Sequence, residues 1–291
     1  MYYYEDYLCD IYNIMLLGKN IIKIVDEDVT YDGRKIYGLK IGKGKVKAII
    51  SAGVHGREYT NVSAVIHMIK KTIHDYNKGY CLYKNEKINI KNIYNNNSLI
   101  IVPLVNPDGY EIALRGYDVV NNKELQNKYK ASNKEYYLWK NNVLDVDINR
   151  NFQSILWKSK FKGDKPFSQT ESRFLKRIFD KYYGGIYVDI HSRGENIYYY
   201  RKALDNKYNE EQLIIAKELS ALTGYRISKP EEEINYNDTG GNTVHYYSET
   251  YRCSAITIET VKEDEHFPIN MLNSSKTYEQ IKDLLVYLMV R

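Results

Sequence analysis

The stretch Ala52–Thr60, AGVHGREYT, closes an apolar run and places His55 three residues before Glu58. Two such side chains on one turn can face a common ion, and a catalytic zinc site usually has three protein donors and one position left for water. An HxxE pair alone is common in unrelated chains, so a third donor must come from elsewhere. The chain has six histidines. Among them only His191, in GIYVDIHS, stands as His55 does at the end of an apolar run with strand character. His67 and His74 fall seven apart on one helical face, with no carboxylate or cysteine spaced to join them. They read as ordinary helix-surface residues. His55, Glu58 and His191 thus form a candidate site for one Zn²⁺ ion, with bonds of about 2.0–2.2 Å expected.

The elements around these residues must bring them together. IIKIVDEDV, IYGLKIG and VKAIISAG read as successive strands, the last apolar enough to be buried on both faces. After Thr60, Val62, Val65, Ile66, Ile69 and Ile73 recur at helical spacing. SLIIVPLV is a further buried strand, ended by the turn signal Asn106-Pro107-Asp108-Gly109. Residues 117–137 read as a polar surface excursion, and VLDVDINRNF resumes strand-like alternation. A capping box of Ser168 and Glu171 opens a helix. GGIYVDIHS and SAITIET are strands separated by a helix that Gly224 ends, and SKTYEQIKDLLVYLMVR forms one closing helix. The alternation predicts an α/β fold with a mixed, mostly parallel central sheet sandwiched between helices. One domain over 1–291 is expected, with about 1–20 as an N-terminal extension. His55, Asn106, Asn149, His191 and Glu259 each fall at or just past an expected strand end, where open α/β sheets form their ligand sites.

The motifs HGRE, NPDG, DINRNF, DIHS, YNDTGG and TIE, in this order, resemble the zinc metallocarboxypeptidase family of the carboxypeptidase A type. The resemblance runs from about DGRKIYGL to TIET, most of the chain. It implies a zinc peptidase with His55, Glu58 and His191 as metal ligands and Glu259 as general base. A carboxylate there can take the proton of the attacking water and deliver it to the leaving amine. Arg57 matches an arginine that binds substrate and steadies the oxyanion. Asn149 and Arg150 match the pair that grips a terminal carboxylate, a task suited to a guanidinium fork. Tyr236 matches a mobile tyrosine that closes over substrate, although its spacing to Glu259 differs from the pattern by about one residue. Asp147 matches a carboxylate that orients the first histidine ligand.

The chain also departs from the pattern. Digestive carboxypeptidases carry an arginine after the Leu-Trp pair upstream of NRN, whereas LWKNNVLDVDINRNF has Lys140, an oxyanion-stabilising charge without a planar fork. Trp-Lys-x-Asn and IHSRGENIYYY are more similar to the bacterial subgroup that cuts the γ-D-glutamyl–diaminopimelate bond of cell-wall peptides. The segment YNDTGGNTVHYYSETYR is polar, with Asn242 or Thr243 expected near the pocket base. This suits a hydrophilic side chain such as diaminopimelate, and Asp238 or Glu249 would favour a basic one. The alternatives are a general C-terminal peptide carboxypeptidase, an acyl-amino-acid amidohydrolase, which the NPDG and NRN set argues against, and a non-catalytic peptide-binding module. No ligand or base is missing, which argues against the last.

Bulk composition narrows the partners to a peptide substrate, possibly murein-derived. The net charge of +5 is spread along 291 residues rather than gathered with aromatics in a stripe, so nucleic acid is not expected. No stretch approaches the roughly 18 apolar residues of a membrane span. Three cysteines, Cys9, Cys81 and Cys253, lie far apart, and acidic residues stand where a signal peptide needs basic ones. A cytoplasmic setting is expected. A monomer is plausible, and the sequence does not fix the oligomeric state.

Overall fold

A computed structural model describes residues 1–233 and 240–291. Its main sheet has eight strands in the order β1 (Ile22–Val29), β2 (Lys35–Gly42), β6 (Asn97–Val102), β3 (Lys45–Ala52), β7 (Ile186–Ser192), β10 (Ala255–Thr260), β8 (Asn196–Tyr198) and β9 (Arg226–Ile227). The central run β6–β3–β7–β10 is parallel, β1–β2–β6 is antiparallel, and β8 lies antiparallel to β10 and parallel to β9. A small hairpin, β4 (Cys81–Tyr83) with β5 (Glu86–Ile88), stands apart. The α/β class with a mixed, mostly parallel sheet between helices is the observed architecture.

Alternation along the central strands assigns the two faces. Ala48, Ile50, Ala52, Val188, Ile190, Ile256 and Ile258 point into one core with α1 (Tyr4–Leu17), α2 (Thr60–Lys78), α7 (Asn206–Thr223), α10 (Leu272–Ile281) and α11 (Leu284–Val290). Ile49, Tyr187 and Ala255 point into the other, where α6 (Thr170–Tyr182) and α9 (Thr243–Tyr251) contribute Phe174, Ile178, Phe179, Val244 and Tyr247. Within residues 1–20, α1 buries Tyr7, Ile11 and Ile14. The remaining helices are α3 (Ile90–Asn96), α4 (Pro107–Arg115), α5 (Lys123–Lys130) and α8 (Pro230–Glu233).

Four local expectations need correction. VLDVDINRNF is not a strand. The Asn142 side chain accepts from the amides of Leu144 and Val146, Asp145 takes a positive φ, and Asp147 caps a 3₁₀ turn over Ile148–Arg150. Side-chain bonds to the local backbone have displaced the ladder. The Ser168–Glu171 capping box is not formed. Gln169 is the N-cap residue, the Ser168 hydroxyl accepts from Asn151 and Gln169, and Glu171 is buried against Asn142. Residues 117–137 include α5 and two 3₁₀ turns around a small core of Val120, Tyr129 and Trp139. The closing helix is two helices, broken between Ile281 and Leu284. The NPDG turn signal opens α4, with Asn106 as its cap and Pro107 in the first turn.

Candidate metal centre

Three loops meet at the carboxyl edge of the parallel strands. After β3 the chain turns through Gly53, at φ +64°. This turn places His55 over the sheet edge and Glu58 one turn on, just before α2. The Asn106 side chain fastens the region: it accepts from the Gly109 amide and donates to the carbonyls of Val54 and Asn141. Gly56 donates to the Lys140 carbonyl, and a Cβ on Gly56 would lie 2.2 Å from the Gly109 carbonyl oxygen. The HGRE and NPDG glycines are thus two halves of one close backbone approach. Asp108 performs a different task, buried with Arg34 and Thr30 and holding the first hairpin to α4.

His191 lies on β7 opposite Glu259 of β10 in parallel register, and Glu259 also faces Asn196 of β8. The ends of β7 and β10 are tied to the first turn of α2, since the Asn61 side chain donates to Ser192 and accepts from Thr260. The donors converge on one point. His55 Nδ1 is 2.7 Å from Glu58 Oε1, His191 Nδ1 is 3.1 Å from Glu58 Oε2, and the two Nδ1 atoms are 3.2 Å apart. Ligand atoms of all three residues lie within 4.8 Å of one another. The backbone amide of Ser192 donates to Glu58.

The far nitrogens face carboxylates. His55 Nε2 is 3.3 Å from Asp147 Oδ1 and His191 Nε2 is 2.9 Å from Asp189 Oδ2, both off the hydrogen-bond axis. Burial favours a neutral Asp147, but the close approach and charge of His55, together with Lys140 and Arg150, hold it well below the usual carboxylate range. Burial likewise opposes ionisation of Asp189, which His191, Ser51 and Thr243 nevertheless keep low. Two imidazole nitrogens pressed together against a carboxylate, each ring backed by a second carboxylate, have the donor set and outer support of a bound dication. The residues fit a single zinc ion held by His55, Glu58 and His191.

The surrounding cleft has a volume of ≈ 420 Å³ and is lined by the triad, Glu259, Arg57, Lys140, Asn149 and Arg150. Glu259 Oε2 is buried with no hydrogen-bond partner among the described residues, and burial, aided by Glu58 and Asp189, pushes its carboxyl up to about 8. Lys140 Nζ sits 2.7 Å from Asp147 Oδ2, so its ammonium is joined to the carboxylate behind His55. The Asn149 side-chain oxygen accepts from the Thr243 amide, which docks α9 beside the 3₁₀ turn. Gly240 and Gly241, both at positive φ, press against Leu156, Trp157 and the Arg150 carbonyl at distances no Cβ tolerates. Asn242 lines the cleft, Thr243 is buried against Asn149 and Asp189, and Glu249 accepts from the Ile155 amide. Tyr236 and Asp238 lie outside the described residues.

Sequence reasoning missed three residues here. Asp189 had a legible signal, since it lies two positions before His191 and so shares its strand face. Arg193 lies within the IHSRGENIYYY stretch already noted, which gave it no role of its own, and Phe267 had no signal, because their neighbourhood depends on loops that approach only in the folded chain.

The comparisons with known proteins agree with this geometry. The chain is 29% identical over 214 residues to an uncharacterised protein of Bacillus subtilis (strain 168), covering 66% of this chain and 53% of that one. It is 22% identical over 251 residues to gamma-D-glutamyl-L-diamino acid endopeptidase 1 of Lysinibacillus sphaericus, covering 79% and 58%. The chain thus spans about half the length of the curated relatives it matches. The fold superposes on the crystal structure of thrombin activatable fibrinolysis inhibitor with a TM-score of 0.78 at 16% identity, covering 98% of this chain and 73% of that one. The sequence profile described as zinc carboxypeptidase matches residues 13–281, and with the His55–Glu58–His191 cluster in place the chain belongs to that family.

Proposed function

We propose that this chain hydrolyses a peptide bond next to a carboxylate-bearing residue, and that its substrate is the γ-D-glutamyl–diaminopimelate bond of cell-wall peptides. The observation that carries the reading is one cleft in which the ligand triad, a buried carboxylate oxygen without a hydrogen-bond partner among the described residues, and the Asn149 and Arg150 side chains stand together. Held by His55, Glu58 and His191, a zinc ion would supply Lewis acidity to the scissile carbonyl and to a water to be deprotonated. A cation on the triad would favour the ionised form of Glu259, which takes the proton of the attacking water and returns it to the leaving amine. Arg57 and Lys140 supply positive charge where the oxyanion develops, Lys140 while remaining joined to Asp147. Asn149 and Arg150 hold the carboxylate of the leaving residue, with Tyr236 assigned to the same substrate. Asp147 orients His55. The wall-peptide assignment draws on the polar lining of the cleft and on the activity named for the Lysinibacillus relative. A cytoplasmic setting belongs to the same reading; among the described residues no helix is long and apolar enough to cross a membrane.

A general carboxypeptidase is the second reading, since it would use the same catalytic side chains in the same cleft. Mass spectrometry of products separates the two. The zinc-loaded protein should release diaminopimelate from L-Ala-γ-D-Glu-diaminopimelate and leave α-linked peptides whole. Shortening of the α-linked peptides alone would establish the carboxypeptidase instead. With metal bound and neither cleaved, the chain would be a binding module. Glu259→Gln should keep its metal while kcat falls by about 10³-fold, and near-normal turnover would remove Glu259 from the role.

A further inference from the structure

The cleft carries a second group of cations that the mechanism above does not exhaust. Phe267, in the loop between β10 and α10, has two guanidinium groups over its ring: the Arg57 Cζ is 4.4 Å and the Arg193 Cζ 5.6 Å from the ring centroid. All three residues line the cleft. An aromatic face holds a guanidinium plane in place without neutralising it. Arg34, Arg177 and Arg201 each meet a carboxylate, whereas among the described residues neither Arg57 nor Arg193 has an acidic partner, and Arg57 Nε is buried with no acceptor. Two guanidinium groups that line the cleft and meet no carboxylate among the described residues are suited to receive an anion.

Their position decides which anion. Phe267 packs against the core on the α2 face of the sheet. Arg150 ends the 3₁₀ turn that Ile148 begins, and Ile148 with Phe152 and Val244 belongs to the core on the opposite face. The ligand triad lies at the sheet edge between them. A substrate whose leaving-side carboxylate is held by Asn149 and Arg150 therefore extends its acyl side toward Arg57 and Arg193. An ordinary α-linked residue has no backbone charge there. A γ-linked glutamyl residue does, because the isopeptide bond leaves its α-carboxylate free. We infer that Arg193, with Arg57, binds the free α-carboxylate of a γ-linked acidic residue on the acyl side of the scissile bond, and so selects isopeptide over α-peptide substrates. This inference rests on the proposed peptidase reading.

The test compares the zinc-loaded wild type, Arg193→Gln and Arg193→Lys on L-Ala-γ-D-Glu-diaminopimelate and on the same tripeptide with the glutamyl α-carboxylate amidated. The wild type should prefer the free acid by about 10–100-fold in kcat/KM, carried mainly by KM, as expected for loss of a charge-assisted hydrogen bond. Arg193→Gln should collapse that ratio toward one, and Arg193→Lys should restore part of it. An equal preference for acid and amide in the wild type, or an unchanged ratio in Arg193→Gln, overturns the inference and leaves the peptidase reading standing. Cleavage of neither tripeptide, with α-linked peptides cleaved, overturns the wall-peptide reading and this inference together.

Discussion

At the scale of single residues, chemistry was legible where it repeats a spacing. His55 and Glu58 share one turn and His191 ends a buried strand, so residue type and element position together pointed to three donors that the fold brings into contact. Their supports were only half visible. Asp147 was expected behind His55. Asp189 was not expected behind His191, although strand alternation places it there and Ser51 donates to its other oxygen at 2.6 Å. Lys140 shows what residue type alone leaves open: a cation facing a cleft can act on substrate, on a neighbour, or on both. Its 2.7 Å contact with Asp147 was not readable from sequence. Asp189→Asn keeps the shape and removes the charge that fixes the His191 ring. Zinc affinity should fall by about 10–100-fold, measured by competition with a chromophoric chelator. An unchanged affinity would show that β7 alone positions the ring.

At the scale of elements, long apolar runs were read correctly and polar segments were not. VKAIISAG and GGIYVDIHS can be little other than buried strands, whereas VLDVDINRNF alternates like a strand and is held in turns by Asn142 and Asp147. Capping at α6 fails for a related reason, since Glu171 is drawn into the protein rather than back to the helix start. Burial pushes its carboxyl up from 4.5 to about 7. The folded chain therefore holds this proton more tightly than the unfolded chain. The associated stability is fully present below about pH 4.5 and is lost as pH rises through about 7. Relative to Glu171→Gln, the wild type should lose on the order of 3 kcal/mol between about pH 5 and pH 8, read from urea unfolding at both values. Parallel pH dependences would mean that Glu171 meets solvent. Gly56→Ala tests the contact between the HGRE and NPDG segments. Its Cβ needs space occupied by the Gly109 backbone, so about 1–3 kcal/mol of stability should be lost together with zinc affinity. A variant as stable and as zinc-avid as the wild type would show that the two loops can part without cost.

At the scale of the whole molecule, class and site were readable but wiring was not. Alternating strands and helices imply a layered α/β chain, yet nothing in the sequence tells that β3 lies between β6 and β7, or that β10 pairs with both β7 and β8. Those pairings make the metal centre a junction, for its three ligands come from the turn after β3 and from β7, and Asn61 of α2 ties the same strand ends to β10. A cation bound there holds elements from distant parts of the chain, and it binds the folded state because the unfolded chain cannot assemble the three donors. Zinc at about 1,000 times its dissociation constant should therefore raise stability by about 4 kcal/mol, or by the order of 10 °C in Tm. Chelation should reverse the shift. His55→Ala, which deletes one donor, should unfold at nearly the same temperature with and without the ion. If the wild type melts identically in zinc and in chelator, these three side chains do not hold a metal, and the proposed chemistry fails with them.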